Sequence, residues 1–176
     1  MNYFELFEIP IQLQVDQQAL KSKFMQLSRQ HHPDFFTHDT PEAQEEALQK
    51  SALLNKAWKV FQQPEELIAY VLELKGLLAE NEKYQLDADF LMEMMEINEA
   101  ITELDEGQLP TIKRRIDQLQ EEIYTPVQDI ITRYQDGHTS AADLLKVKEY
   151  YFQKNVFTKL FGKGFNKIKN DVNSRA

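Results

Sequence analysis

The amino-acid sequence predicts an all-α protein. It contains only 5 glycines and 6 prolines among 176 residues, too few turn residues for a many-stranded sheet. The strong helix formers Glu, Gln, Lys, Leu and Ala are abundant. Apolar residues recur at three- and four-residue spacing, which is the period of an amphipathic helix. A hydrophobic content of 42% is sufficient to form a buried core.

Charge and residue usage argue against several classes of protein. The formal net charge of −9 argues against nucleic acid or an anionic membrane as the main partner, because both require a basic face. With no cysteine, the chain cannot form disulfides or hold an iron–sulfur cluster through thiolates. It also lacks any run of about 18 apolar residues, the length of a membrane span. The opening segment MNYFELFEIP does not resemble a signal peptide, so we expect a cytoplasmic protein.

A short aromatic helix is predicted at the start of the sequence. Asn2 and Glu5 have the spacing of a capping box. The helix would cover residues 3–8 and end before Pro10. Its apolar side chains are too dense for an exposed helix of this length, so we expect them to insert into the rest of the protein. These side chains are Tyr3, Phe4, Leu6 and Phe7.

Two longer helices are predicted next, joined by a polar connection. Asp16 is a suitable N-cap for the second helix, which must stop before Pro33 because a residue ahead of proline is pushed out of the α region. Thr40 as N-cap and Pro41 as first residue start a third helix, which ends at about Gln63. Cations on one surface of the second helix indicate either a binding face or a merely solvated one. These cations are Lys21, Lys23 and Arg29.

The second half of the sequence predicts a three-helix bundle. A fourth helix, PEELIAYVLELKG, is capped by Gly76. Three longer helical patterns follow at about 87–104, 110–136 and 140–161, and Pro126 is expected to kink the middle one. Short connections between long helices imply antiparallel neighbours. The expected domains are residues 1–75 and 86–176, with a connection at 76–85.

The first bundle helix has more apolar residues than one buried face requires. An inward seam accounts for most of them, and a group of three is left over: Leu91, Met92 and Met95. Glu96 and Glu99 continue the same surface. The helix therefore has either an unusually wide buried face or an exposed, methionine-rich patch that binds a protein. The seam consists of Phe90, Met94, Ile97, Ile101 and Leu104.

The tip of the predicted hairpin carries the tripeptide His32-Pro33-Asp34. A metal site is weakly supported, because His31 and His32 are adjacent rather than four residues apart. A catalytic dyad lacks a nucleophile and an enclosing pocket. A structural turn suits Pro33 and Asp34 but needs no histidine. A metal-dependent hydrolase that uses these side chains together with His38 remains an alternative class.

A hairpin with this tripeptide at its tip, a basic second helix and a third helix bearing LLNKAW resembles the J-domain. J-domains activate ATP hydrolysis by DnaK-type chaperones. The segments MNYFELFEIP, NKAWKVFQQPEELIAYVLELKG and DADFLMEMMEINEAI extend the resemblance to the HscB family, the J-type co-chaperones of iron–sulfur cluster assembly. The resemblance covers the chain up to about Phe161.

The resemblance implies an L-shaped adaptor without catalytic activity, cofactor or metal, in which a J-domain precedes the three-helix bundle. His32, Pro33 and Asp34 would stimulate the ATPase of a DnaK-type, HscA-like chaperone, and the basic face would dock on it. The bundle would bind an IscU-like iron–sulfur scaffold protein and present it to that chaperone. The implied scaffold-binding residues are Leu91, Met92, Met95, Glu96, Glu99 and Tyr150.

Two positions depart from the family pattern. Phe35 follows the tripeptide directly, where many members have a lysine, and Leu67 stands where an arginine is common. Each departure removes a cationic contact. Two further alternatives remain open at this point: a J-domain co-chaperone that serves a different client, and a structural helical adaptor with no coupling to a chaperone.

Overall fold

The computed structural model describes residues 1–103 and 106–173, and at residue 106 and residues 163–173 it describes the backbone only. The prediction of an all-α fold is confirmed, since these residues form helices and no β-strand. No helix in the described ranges combines the length and apolarity needed to span a membrane. The helices are α1 (Tyr3–Leu6), α2 (Gln17–Gln30), α3 (Pro41–Gln62), α4 (Pro64–Leu74), α5 (Ala88–Thr102), α6 (Leu109–Tyr124), α7 (Gln128–Thr132) and α8 (Ala141–Asn173).

Local capping places the first helices as predicted. The Asn2 Oδ1 atom accepts a hydrogen bond from the Glu5 N–H, and the Glu5 carboxylate accepts one from the Asn2 N–H, both at 2.9 Å. Helix α1 ends at Leu6 rather than at residue 8, where the backbone has turned into the left-handed region with a φ of 55°. Asp16 and Thr40 cap α2 and α3 through their side chains. These caps satisfy backbone donors that would otherwise lack partners.

The aromatic side chains of α1 insert into the first core, as expected from their density. Phe4 and Phe7 are fully buried, and their ring centroids each lie 5.1 Å from that of Phe61. The Tyr3 N–H donates to the Tyr70 hydroxyl at 2.9 Å, and the two rings stack. Burial of each phenylalanine contributes roughly 2 kcal/mol. This cluster fixes α1 across α3 and α4.

Helix α4 is shared between the two halves of the chain. Its side chains pack against α3 on one side and against α8 on the other. Val71 and Leu72 are completely buried, and the same core includes Val127 of the α6–α7 turn and Val147 of α8. The first core therefore crosses from the predicted first domain into the predicted second. The domain boundaries themselves remain a prediction.

Helices α5, α6 and α8 form a second core. Met94 and Ile97 of α5 and Ile116 of α6 are buried in it, together with Phe157 and Phe161 of α8. The predicted seam of α5 therefore faces inward. Leu104, its last predicted member, lies outside the described residues.

Two further helix ends differ from the prediction. Helix α6 ends at Tyr124 and α7 begins at Gln128, so Pro126 breaks the helix where we expected a kink. Proline lacks an N–H, and its ring clashes with the carbonyl four residues earlier. Helix α8 also continues to Asn173 instead of ending near Phe161. A glycine inside a helix costs only about 1 kcal/mol, so Gly162 weakens the helix without ending it.

Two ion pairs connect the segment after α4 to the second half of the chain. Lys75 pairs with Asp136, which also accepts a hydrogen bond from the Tyr134 hydroxyl at 2.9 Å. The Glu82 Oε2 atom lies 2.8 Å from Lys148 Nζ, in an electrostatic contact rather than a well-aligned hydrogen bond. Both pairs are partly shielded from solvent. They hold the connection against α8 and the turn before it.

Replacing Asp136 with asparagine is expected to lower the free energy of unfolding at neutral pH by about 0.5–1 kcal/mol, the size of a partly exposed ion pair. Lys75 lowers the pKa of Asp136 below its usual 3.8. The ionised carboxylate therefore stabilises the fold fully above about pH 3.8. This stabilisation is lost as the pH falls through the lowered pKa of Asp136. Urea denaturation of the wild type and of Asp136→Asn, from neutral pH down to below the pKa of Asp136, measures the difference in unfolding free energy.

A double-mutant cycle with Lys75→Met isolates the ion pair from other effects of either substitution. Purely additive effects of Lys75→Met and Asp136→Asn would contradict a stabilising pair.

Candidate functional site

The tripeptide at the hairpin tip adopts a fixed single turn. Helix α2 ends at Gln30, and His32 is extended with a ψ of 128°, as a residue ahead of proline requires. Pro33 then begins one turn of 3₁₀ helix that ends at Phe36. The Asp34 N–H donates to His32 Nδ1 at 3.3 Å, so the imidazole caps the turn. This cap explains why a histidine is useful where a plain turn needs none.

Both polar side chains of the tip point into solvent. The side chains of His32 and Asp34 are 52% and 85% exposed. The His32 Nδ1 atom also lies 3.5 Å from Asp34 Oδ2, which would be an ion pair if the ring were protonated there. An Nδ1 that accepts the amide hydrogen bond carries no proton, which leaves the ring N–H at Nε2. The tip then presents an Nε2–H donor beside a carboxylate acceptor.

The start of α3 supports the tip from behind. The Gln44 side-chain amide donates to the backbone carbonyls of Thr37 and Asp39, at 3.3 and 3.0 Å. The Thr37 hydroxyl donates to the Asp34 carbonyl at 3.4 Å. These bonds attach the connection to a rigid helix. The backbone that carries the donor and the acceptor of the tip is therefore held in a defined conformation.

The three predicted cations of α2 do not share one surface. Lys21 and Arg29 line an open groove of about 740 Å³ that runs along α2 to the tip. Lys23 faces the other way and pairs with Glu8, whose pKa is lowered by the hydrogen bond and the positive charge of Lys23. Lys21 and Arg29 therefore form the basic groove, and Lys23 joins α2 to the end of α1.

The apolar residues left over from the seam of α5 lie on its exposed face. Leu91, Met92 and Met95 are 37%, 59% and 61% exposed, whereas the neighbouring Met94 is completely buried. The alternative of a wide buried face is therefore wrong. Glu96 and Glu99 are exposed as well. We call these five residues the methionine patch: it joins a flexible apolar surface to carboxylates, a combination suited to binding a protein.

Tyr150 is half-buried in α8, where it touches both cores. Its ring centroid lies 5.7 Å from that of Tyr124. Burial, followed by the nearby charges of Glu65 and Tyr124, raises the pKa of Tyr150 to about 12. It borders a cleft of about 320 Å³ that is also lined by Leu13 and Ile68. These contacts pack Tyr150 between α4, α6 and α8, and its expected part in scaffold binding stays a prediction.

A second aromatic pair on α8 was not found by sequence analysis. Phe152 stacks on Tyr84 with ring centroids 4.6 Å apart and planes 6° apart. Lys148 lies over the Tyr84 ring, with Nζ 5.8 Å from its centroid. Periodicity could not identify the pair, because Tyr84 belongs to an irregular connection. The one signal in the sequence that could have suggested the pair is the general preference of aromatic rings for one another.

Leu67 is 2% exposed and packs in the first core, so it contributes to packing rather than to a surface contact. Within the described residues, no three His, Asp or Glu side chains converge in the way that a metal ion requires.

Known proteins resemble this chain over most of its length. Residues 86–154 match the family model described as the HSCB C-terminal oligomerisation domain. The chaperone HscB from Vibrio cholerae is 25% identical, with a TM-score of 0.72, over 98% of this chain and 99% of that one. The human co-chaperone protein HscB is 28% identical, with a TM-score of 0.76, over 95% of this chain and 82% of that one.

Substituting Tyr150 with alanine is expected to lower the free energy of unfolding by about 2 kcal/mol, because the ring fills space between both cores. Met95→Ala, on the exposed patch, is the control and should change it by less than about 0.5 kcal/mol. Chemical denaturation of the two variants measures both values. Equal effects would contradict the assignment of Tyr150 to packing.

Proposed function

We propose that this chain, which is similar to the HscB chaperones of Vibrio cholerae and human over most of its length, is a co-chaperone of iron–sulfur cluster assembly that stimulates the ATPase of a DnaK-type, HscA-like chaperone. It does so through His32, Pro33 and Asp34. The methionine patch binds an IscU-like scaffold protein and delivers it to the same chaperone. The protein acts by binding and catalyses no reaction of its own.

The arrangement of the tip is the observation that supports this proposal best. A donor on His32 and the acceptor on Asp34 are exposed side by side on a fixed turn at one end of the basic groove. In a chain with a net charge of −9, Lys21 and Arg29 attract an acidic surface locally. A partner that meets the groove is thereby oriented toward the Asp34 carboxylate.

Stimulation and delivery are coupled through the chaperone. The tip binds the chaperone state that hydrolyses ATP, and the scaffold occupies the peptide-binding site of that state. Two ligands that favour the same conformation strengthen each other, and the coupling is reciprocal. The co-chaperone increases this effect by holding the scaffold near the chaperone, which raises its effective concentration.

Asp34→Asn is expected to reduce stimulation of ATP hydrolysis at limiting co-chaperone by at least about tenfold, since a charge-assisted hydrogen bond is lost. Single-turnover hydrolysis by the DnaK-type chaperone of the source organism, with and without scaffold, measures this. The matched control is Asp39→Asn, in the same connection. Stimulation by the wild type that is unaffected by Asp34→Asn would contradict the role of the tip.

Leu91→Ala combined with Met92→Ala is expected to weaken scaffold binding about 30-fold, which corresponds to about 1 kcal/mol for each exposed anchor. Leu48→Ala combined with Leu145→Ala is the matched control, since these leucines are 60% and 50% exposed outside the patch. Titration calorimetry with purified scaffold gives both affinities. Equal affinity of the scaffold for both double variants would contradict the role of the methionine patch, whereas a wild type that does not bind the scaffold would point to a different client.

Salt should distinguish the two contacts. Binding of the chaperone through charged groups is expected to weaken steeply as ionic strength rises, whereas binding of the scaffold through apolar groups should change less. Affinities measured from low to high salt give the two slopes. Equal slopes would contradict this assignment of chemistry to the two surfaces.

A further inference from the structure

An exposed phenylalanine stands beside the tip. Phe35 follows Asp34 directly, and 72% of it is open to solvent, whereas the next residue, Phe36, is partly buried. The two phenylalanines therefore have different surroundings. Packing within the chain explains an apolar residue at Phe36 but not at Phe35. A single exposed apolar residue is common on protein surfaces. The position and the neighbours of Phe35 make it distinctive.

Phe35 makes two contacts within the tip, one through its backbone and one through its ring. Its N–H donates to the His32 carbonyl at 3.1 Å, which closes the turn. Its ring meets the His32 imidazole edge-on, with centroids 6.2 Å apart and planes at 76°. An ordered aromatic ring loses little conformational entropy when a partner covers it.

A second apolar side chain shares the groove with Phe35. Met25 is 45% exposed and lies on α2 between Lys21 and Arg29, each four residues away. The spacing places all three on one helix face. The basic groove thus has an apolar floor at Met25, an apolar end at Phe35 and a cation on either side of the methionine.

We propose that Phe35 and Met25 form an apolar anchor that enters an uncharged pocket within an acidic surface of the chaperone ATPase domain. This inference rests on the proposed function and adds the chemistry of the partner surface. The groove is continuous with the His32–Asp34 tip, and its cations require a negatively charged partner. Phe35 then determines which chaperone surface fits.

The anchor predicts a characteristic dependence on salt. Apolar contacts change little with ionic strength, whereas a lysine at position 35 would add a charge whose contribution is screened. Phe35→Ala should weaken chaperone binding about tenfold at low and high salt alike, a typical loss for a central aromatic anchor. Phe35→Lys should bind with a steeper salt dependence than the wild type.

The test uses the full-length protein and the full-length DnaK-type chaperone in its ATP state. Binding and single-turnover ATP hydrolysis are measured for the wild type, Phe35→Ala, Phe35→Lys, Met25→Ala and Asp34→Asn. Leu48→Ala is the control for loss of an exposed apolar side chain. Thermal unfolding checks folding, and Phe35→Ala should unfold with the wild type because its ring is mostly exposed.

The outcomes distinguish the anchor from the proposed function. A loss in Phe35→Ala together with a smaller loss in Met25→Ala, and none in Leu48→Ala, supports the anchor. Unchanged binding of Phe35→Ala alongside a loss in Asp34→Asn overturns the anchor and leaves the function intact. A wild type that neither binds nor stimulates the chaperone overturns both. Self-association by the wild type that Phe35→Ala removes, with chaperone binding unaffected, assigns the surface to a second copy and also overturns the anchor.

Discussion

The burial of α4 between the hairpin and the second half of the chain is the constraint on which the rest of the structure depends. Leu67, Ile68, Val71 and Leu72 lie on one broad face of this short helix and are all buried. Every one of them lies in a core that also contains residues of α3 and α8. A helix of 11 residues has little stability by itself, so α4 exists because both neighbours cover it. The same packing holds the N-terminal half against α8.

Around this shared core, the two candidate surfaces are built by different means. The conformation of the tip is set by hydrogen bonds. His32 caps the turn, and the Gln44 side chain bonds the connection to α3. The methionine patch consists of α5 residues that the second core does not bury. Met94 and Ile97 face inward, whereas Met92 and Met95 remain exposed. One surface is specified by directional bonds and the other by exclusion from the interior.

Much of this could be predicted from local sequence signals. Caps at Asn2, Asp16 and Thr40 act over a few residues, so their spacing alone located the helix starts. The seam of α5 followed from periodicity, and the exposed remainder followed from the seam. Such signals suffice wherever a helix has one clearly apolar face.

Other features depend on contacts between distant segments. The orientation of Lys23 depends on where Glu8 ends up, 15 residues away in sequence. Helix α8 has apolar residues on several faces, so periodicity could not decide whether Tyr150 faces solvent or the cores. Pro126 signalled a disturbance, but the sequence did not show that Val127 and Ile131, which follow the break, are buried in the first core.

The sharing of α4 has a consequence for how such a protein diversifies. A substitution inside the common core changes the packing of both halves, so changes of sequence there are restricted by the requirements of both binding surfaces. The groove and the methionine patch lie outside that core and contribute little to folding. The residues of either surface can change during evolution without altering the other surface. A lineage can therefore exchange the partner of one surface and keep the partner of the other.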